Sequence, residues 1–290
     1  MSPTYDRGDD RELRGRGPLE RHPVLGSALI TLLAAIALSM TFMIDFKDRI
    51  GNMVDSRVAV RLLDVAFRFA LGALLILVVI PVVYGYRKNP GWLRRYLRYM
   101  RVTPGPAPVV TAQATGLSLL ALPLLIIIAA TAAGVSAWDP GSLIRDDQWT
   151  VFLLALVPGI WEELVFRGVI MRNLERHFDQ WQAIVISAVL FGLFHLGNLW
   201  ATDDGAAVIA GVIAATLLGL GWGYIVVGTG SVLPAMLLHY TVDVVLDAGL
   251  FMDPSASDAA VAPVYVSLVL LWPALTVLAV RSASSGRQSV

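Results

Sequence analysis

Apolar runs of membrane-crossing length alternate with short polar stretches along this chain, and the alternation predicts helix after helix. A membrane helix needs about 20 mainly apolar residues. Predicted spans lie at Val24–Ile44, Val58–Tyr84, Val109–Ala133, Thr150–Met171, Trp181–Trp200, Ala206–Val227, Ser231–Phe251 and Val261–Val280. Between them come the polar loop Asp45–Arg57, the basic stretch Arg87–Arg101 with the helix-breaking P-G-P-A-P of Pro104–Pro108, and a connection holding Trp138, Asp139, Arg145, Asp146 and Asp147. Asp203 and Asp204 close the fifth span, and the turn Gly228–Gly230 separates the sixth from the seventh.

This pattern defines an all-α fold, a polytopic membrane helix bundle with about eight transmembrane helices over residues 23–281. Residues 1–22 are polar, of mixed charge and rich in Arg and Gly, and are expected to form a disordered cytoplasmic tail; residues 282–290 form a second. Neither a long soluble domain nor a repeat is visible. Gly211, Gly219, Gly221 and Gly223 in the sixth span have the spacing of small residues that let helix backbones approach.

Composition agrees with the pattern. Of 290 residues, 57% are hydrophobic and 15% charged, with a mean hydropathy of +0.69; soluble domains are nearer ~45–50% apolar and ~25% charged. Net charge is zero, so no basic field recruits nucleic acid. The absence of cysteine excludes disulfides, thiolate metal sites and cysteine nucleophiles. Arg and Lys concentrate in the N-terminal tail, in Arg87–Arg101, at Arg172 and Arg176, and at Arg281 and Arg287. These fall on one side of the membrane, which the positive-inside rule makes cytoplasmic, with both termini there. The loop Asp45–Arg57 is a mild exception, with Lys47, Arg49 and Arg57 against Asp45, Asp48 and Asp55. The Arg- and Gly-rich tail points to a bacterial inner membrane.

One run departs from its apolar setting. Trp161–Arg167, W-E-E-L-V-F-R, places two carboxylates and a guanidinium inside a span, where a charge costs about 2.5–3.5 kcal/mol on insertion scales and normally faces the bundle interior, paired. Glu162 and Glu163 differ by about 100° around a helix, whereas Glu163 and Arg167 at i, i+4 face each other. Arg167 is therefore expected to satisfy Glu163 and orient the helix, leaving Glu162 to face a polar cavity at intermediate depth. His195 and His239 also fall within spans, in Phe191–His195 and in His239–Asp243. His195 meeting Glu162 would form a couple that activates water. His239 could donate to an oxyanion, with Asp243 as a second donor if protonated or as the group fixing the His239 tautomer. Glu162, His195 and His239 also make a two-histidine, one-carboxylate set of the zinc-hydrolase kind, without the H-E-x-x-H spacing that usually supports it. Asp64 and Arg68 form a further i, i+4 pair, read either as a helix-face pair or, preferentially, as a snorkelling interfacial turn.

E-E-L-V-F-R at Glu162–Arg167, F-G-L-F-H at Phe191–His195 and the block Leu218–Asp243 resemble, as an ordered set, the three signatures of the CPBP (Abi) family of intramembrane CAAX prenyl endopeptidases and bacteriocin-processing enzymes. The resemblance covers about residues 150–250. It implies a peptidase in which Glu162 and His195 activate water while His239 and Asp243 stabilise the oxyanion, with no metal cofactor favoured and zinc as the alternative. It also implies a membrane-associated peptide or protein substrate, with the lipid bilayer as the other partner. Two other readings compete: a non-catalytic scaffold or immunity protein of the same fold, and a proton-coupled transporter, for which the matching half-repeats are missing.

Overall fold

The computed structural model describes residues 18–43, 57–88, 90–103, 105–137, 149–247 and 255–285. The tails at 1–17 and 286–290, the polar loop Asp45–Arg57 except Arg57 itself, and the acidic connection 138–148 lie outside the described residues.

Among the described residues nine helices follow in order. They are α1 (Pro23–Met43), α2 (Arg57–Leu74, a π turn Leu75–Val79, then Ile80–Val83), α3 (Trp92–Tyr99) and α4 (Pro108–Ala132). Next comes α5, built from Thr150–Glu163, a π turn Leu164–Ile170 and Met171–Leu174. The rest are α6 (Gln180–Phe194, running on as the 3-10 turn His195–Trp200), α7 (Gly205–Thr229), α8 (Leu233–Asp247) and α9 (Asp258–Ser285). The all-α bundle read from the hydropathy pattern is the architecture found, and every predicted span coincides with a helix over its described residues; 44 and 248–251, the ends of the first and seventh predicted spans, lie outside them. Six of them, α1, α2, α4, α6 with its 3-10 turn, α7 and α9, are long and apolar enough to cross a membrane. The remaining two predicted spans are α5, which carries Glu162, Glu163, Arg167 and Arg172, and the shorter α8. The helices that fall short by charge or length are those that hold the polar cluster.

The remaining helix, α3, is the basic stretch after α2. Its Tyr96 and Tyr99 are buried while Arg94 and Arg98 are exposed. Tyr84, Tyr86, Tyr96 and Tyr99 form an aromatic cluster, with Tyr84 stacked on Tyr86 at 5.4 Å. Burial pushes the Tyr86 and Tyr96 phenols above their ordinary range, which keeps them neutral. Arg101 follows with φ 56°, and its carbonyl accepts from the Val232 N–H (3.1 Å), tying this turn to the start of α8. Arg101 and Arg172 both pair with Glu175, so the loops at this end are held by buried charge.

α9 lies along α4, where the Trp272 indole N–H donates to the Ser118 carbonyl (2.9 Å). α7 packs between α6 and α9, and α5 lies against α8 and α2. The small-residue reading of the sixth span holds at Gly219, Gly221 and Gly223, where an added Cβ would meet other side chains, and fails at Gly211, which has open space. At Gly159 a Cβ would stand 3.2 Å from the backbone nitrogen of Tyr240, so α5 and α8 touch almost backbone to backbone. α6 starts with a capping box, Asp179 with Gln182, and α4 continues through Pro123 without a break.

Candidate active site

The site forms where α5, α6, α7 and α8 meet. Glu163 is fully buried on α5, and its Oε1 accepts from Arg167 Nη1 at 3.0 Å, the i, i+4 contact expected from spacing. The same oxygen also lies 2.9 Å from His239 Nδ1. Glu163 is thus more than a brace for its own helix: it ties α5 to α8. On the other side of the His239 ring, Nε2 is 3.5 Å from Asp243 Oδ2. His239 stacks on Trp222 with centroids 4.3 Å apart. Arg167 lies over the faces of Phe191 (4.3 Å) and Trp222 (5.4 Å), so aromatic π faces supply part of what water would. Gly219 leaves the guanidinium its space: a Cβ there would come within 2.8 Å of Nη2.

Arg167 sits within the π turn of α5. The Phe166 carbonyl accepts from the Met171 N–H inside the turn and from Ser187 Oγ of α6 (2.9 Å).

Glu162 points elsewhere, as the 100° separation requires. It is 5% exposed, and its Oε2 has no hydrogen-bond partner among the described residues. It lines a cavity of about 330 Å³ between α1, α2 and α5, together with Trp161, Gly72, Asp64 and Arg68. Small-ligand sites run from ~300 to ~1,000 Å³. The cavity anticipated beside Glu162 is there, but neither His195 nor His239 lines it.

His195 opens the 3-10 turn after α6. Its Nδ1 is 2.9 Å from the Phe191 carbonyl, and its ring meets Phe191 and Phe194 edge to face at 4.9 and 5.2 Å. No hydrogen bond joins it to Glu162. The levels of the two residues are nonetheless close, since Trp161, next to Glu162, meets Phe194, next to His195, edge to face at 5.8 Å. Phe191 lies beside both histidine rings, 5.9 Å from His239. Trp222 and Phe191 therefore belong to the site as packing surfaces. Trp222 was not singled out by any charge or spacing, because its role depends on which helix α7 faces.

The zinc set read from sequence does not fit this geometry. Both His239 nitrogens face carboxylates and Nδ1 of His195 faces a carbonyl, so lone pairs do not converge. Among the described residues no group of three His, Asp or Glu side chains is arranged to hold a metal.

Fold and site together define a polytopic helical membrane protein with a buried Glu–Arg–His cluster, joined by the part-exposed Asp243, beside a cavity in the bundle. Residues 145–245 match the family model described as type II CAAX prenyl endopeptidase, Rce1-like. The matched segment, α5 to α8, holds all six predicted site residues, and the family it matches, the CPBP family, is one of proteases. Helices α1–α4 and α9 lie outside the match. No curated protein matches the chain.

Proposed function

We propose that the chain is an intramembrane endopeptidase that hydrolyses a peptide bond in a membrane-associated or hydrophobic peptide or protein, with water activated at Glu162. The observation that supports this reading best is the contrast between neighbouring carboxylates. Glu163 is bound by Arg167 and His239, whereas Glu162 presents beside a cavity an oxygen without a hydrogen-bond partner among the described residues.

Glu162 takes a proton from water as the water oxygen bonds to the scissile carbonyl carbon, and that proton passes to the leaving amine as the C–N bond breaks. His195 works through the same water or the leaving group rather than by a direct bond to Glu162. With carboxylates at both nitrogens, the His239 ring donates on both sides only as the imidazolium. The longer contact, to Asp243, is the one a developing oxyanion displaces. In this role Asp243 holds the ring until the oxyanion forms. No metal takes part. The protein sits in a bacterial inner membrane with the α3 end of the bundle in the cytoplasm, where Arg94, Arg98 and Arg176 meet the lipid surface.

The test is comparative proteomics of membranes from wild type and a Glu162→Gln strain, with a precursor accumulating in the variant. An unchanged proteome with folded Glu162→Gln and His195→Ala proteins would establish the scaffold reading instead.

A further inference from the structure

The cavity that ends at Glu162 has a polar wall formed by two helices outside the family-matched segment. Arg68 Nε is bonded to both oxygens of Asp64, at 2.9 and 3.0 Å, and the two side chains are 25% and 23% exposed. The preferred reading of this pair as a snorkelling interfacial turn is thereby corrected: the pair faces inward, on the cavity that Glu162 also lines. Arg61, one turn nearer the start of α2, bonds Thr150 Oγ1 at the start of α5 (2.8 Å). Arg61, Asp64 and Arg68 stand at i, i+3 and i+7, one face of a helix. That face leads from the start of α2 and α5 inward to the cavity, and the cavity's α1 residues, Ala37 to Thr41, belong to the last turns of that helix.

Charged groups inside a bundle keep their charge where partners or water surround them, and exposure to lipid tails is costly. A quarter-exposed ion pair inside the bundle therefore marks a wet cavity, and Glu162 Oε2 finds its partner in the same water. We infer that the cavity is the water channel to Glu162, wetted by Asp64 and Arg68 and opening at the end of the bundle opposite α3. Its role in supplying the reacting water rests on the peptidase reading; its hydration and its direction do not.

The chain contains no cysteine, so single substitutions report accessibility cleanly. Ala155→Cys and Leu71→Cys line the cavity; Arg94→Cys marks the α3 end. Each is reconstituted in vesicles of known orientation and treated with a membrane-impermeant thiol reagent. Ala155→Cys and Leu71→Cys are expected to react from the face at which Arg94→Cys does not. Adding Asp64→Leu with Arg68→Leu should slow the reaction at Ala155→Cys at least tenfold while the protein stays folded by its melting temperature. Reaction only from the α3 face, none from either face, or a rate unmoved by removing the pair would each overturn the channel. Precursor accumulation in the Glu162→Gln strain is read separately, so loss of the channel and loss of the peptidase reading are distinguishable.

Discussion

Glu162 and Glu163 are adjacent in sequence and unlike in surroundings. Glu163 shares one oxygen between a guanidinium and an imidazole, in a site closed to solvent. Removing one member of a buried ion pair leaves the other uncompensated and costs about 3–5 kcal/mol. Glu163→Gln is therefore expected to lower the melting temperature in detergent markedly, whereas Glu162→Gln, which breaks no protein hydrogen bond at Oε2, should change it little. On the peptidase reading both variants are expected to lose cleavage, but only Glu163→Gln to lose stability as well. The Glu163–Arg167 pair was legible because i, i+4 neighbours share a face whatever the helix packs against. The contact of Glu163 with His239 was not, since it joins residues on helices whose mutual rotation no local spacing reports.

Among the elements, the pairing of α5 with α8 sets the distance between Glu163 and His239. Gly159 lets the two backbones close. Gly159→Ala puts a methyl against the Tyr240 backbone, where neither side can swing away, and such overpacking costs about 1–3 kcal/mol. The expected result is a fall in both melting temperature and cleavage; unchanged cleavage would mean that α8 tolerates displacement from Glu163. Ser187→Ala on α6 removes the added partner of the Phe166 carbonyl. A buried hydrogen bond contributes about 0.5–1.5 kcal/mol, so thermal unfolding should show a loss of that size, with Arg167 less firmly placed. Helix positions followed from hydropathy because it averages over many residues. The π turns at Leu75–Val79 and Leu164–Ile170 left no such trace, since one extra residue in a turn changes no residue type.

At the scale of the whole molecule, the geometry of the donors bears on cofactor use. With the His239 nitrogens on Glu163 and Asp243, cleavage by the reconstituted protein is expected to persist in excess chelator and after dialysis. Loss of cleavage restored by zinc would require these side chains to rearrange. The sequence by itself determined the class of molecule and the candidates for its site: apolar length and composition mark a polytopic helical membrane bundle, and the rarity of polar groups within the spans singles out Glu162, Glu163, Arg167, His195, His239 and Asp243. These are properties of single segments, readable one segment at a time. The tertiary structure decided which of them meet. It joined His239 to Glu163, kept His195 from a direct bond to Glu162, and brought Asp64 and Arg68 to the cavity on which Glu162 opens. Those outcomes depend on the rotation and depth of each helix against its neighbours. Close approaches such as those at Gly159 and Gly219 set them, and they exist only when both helices are present.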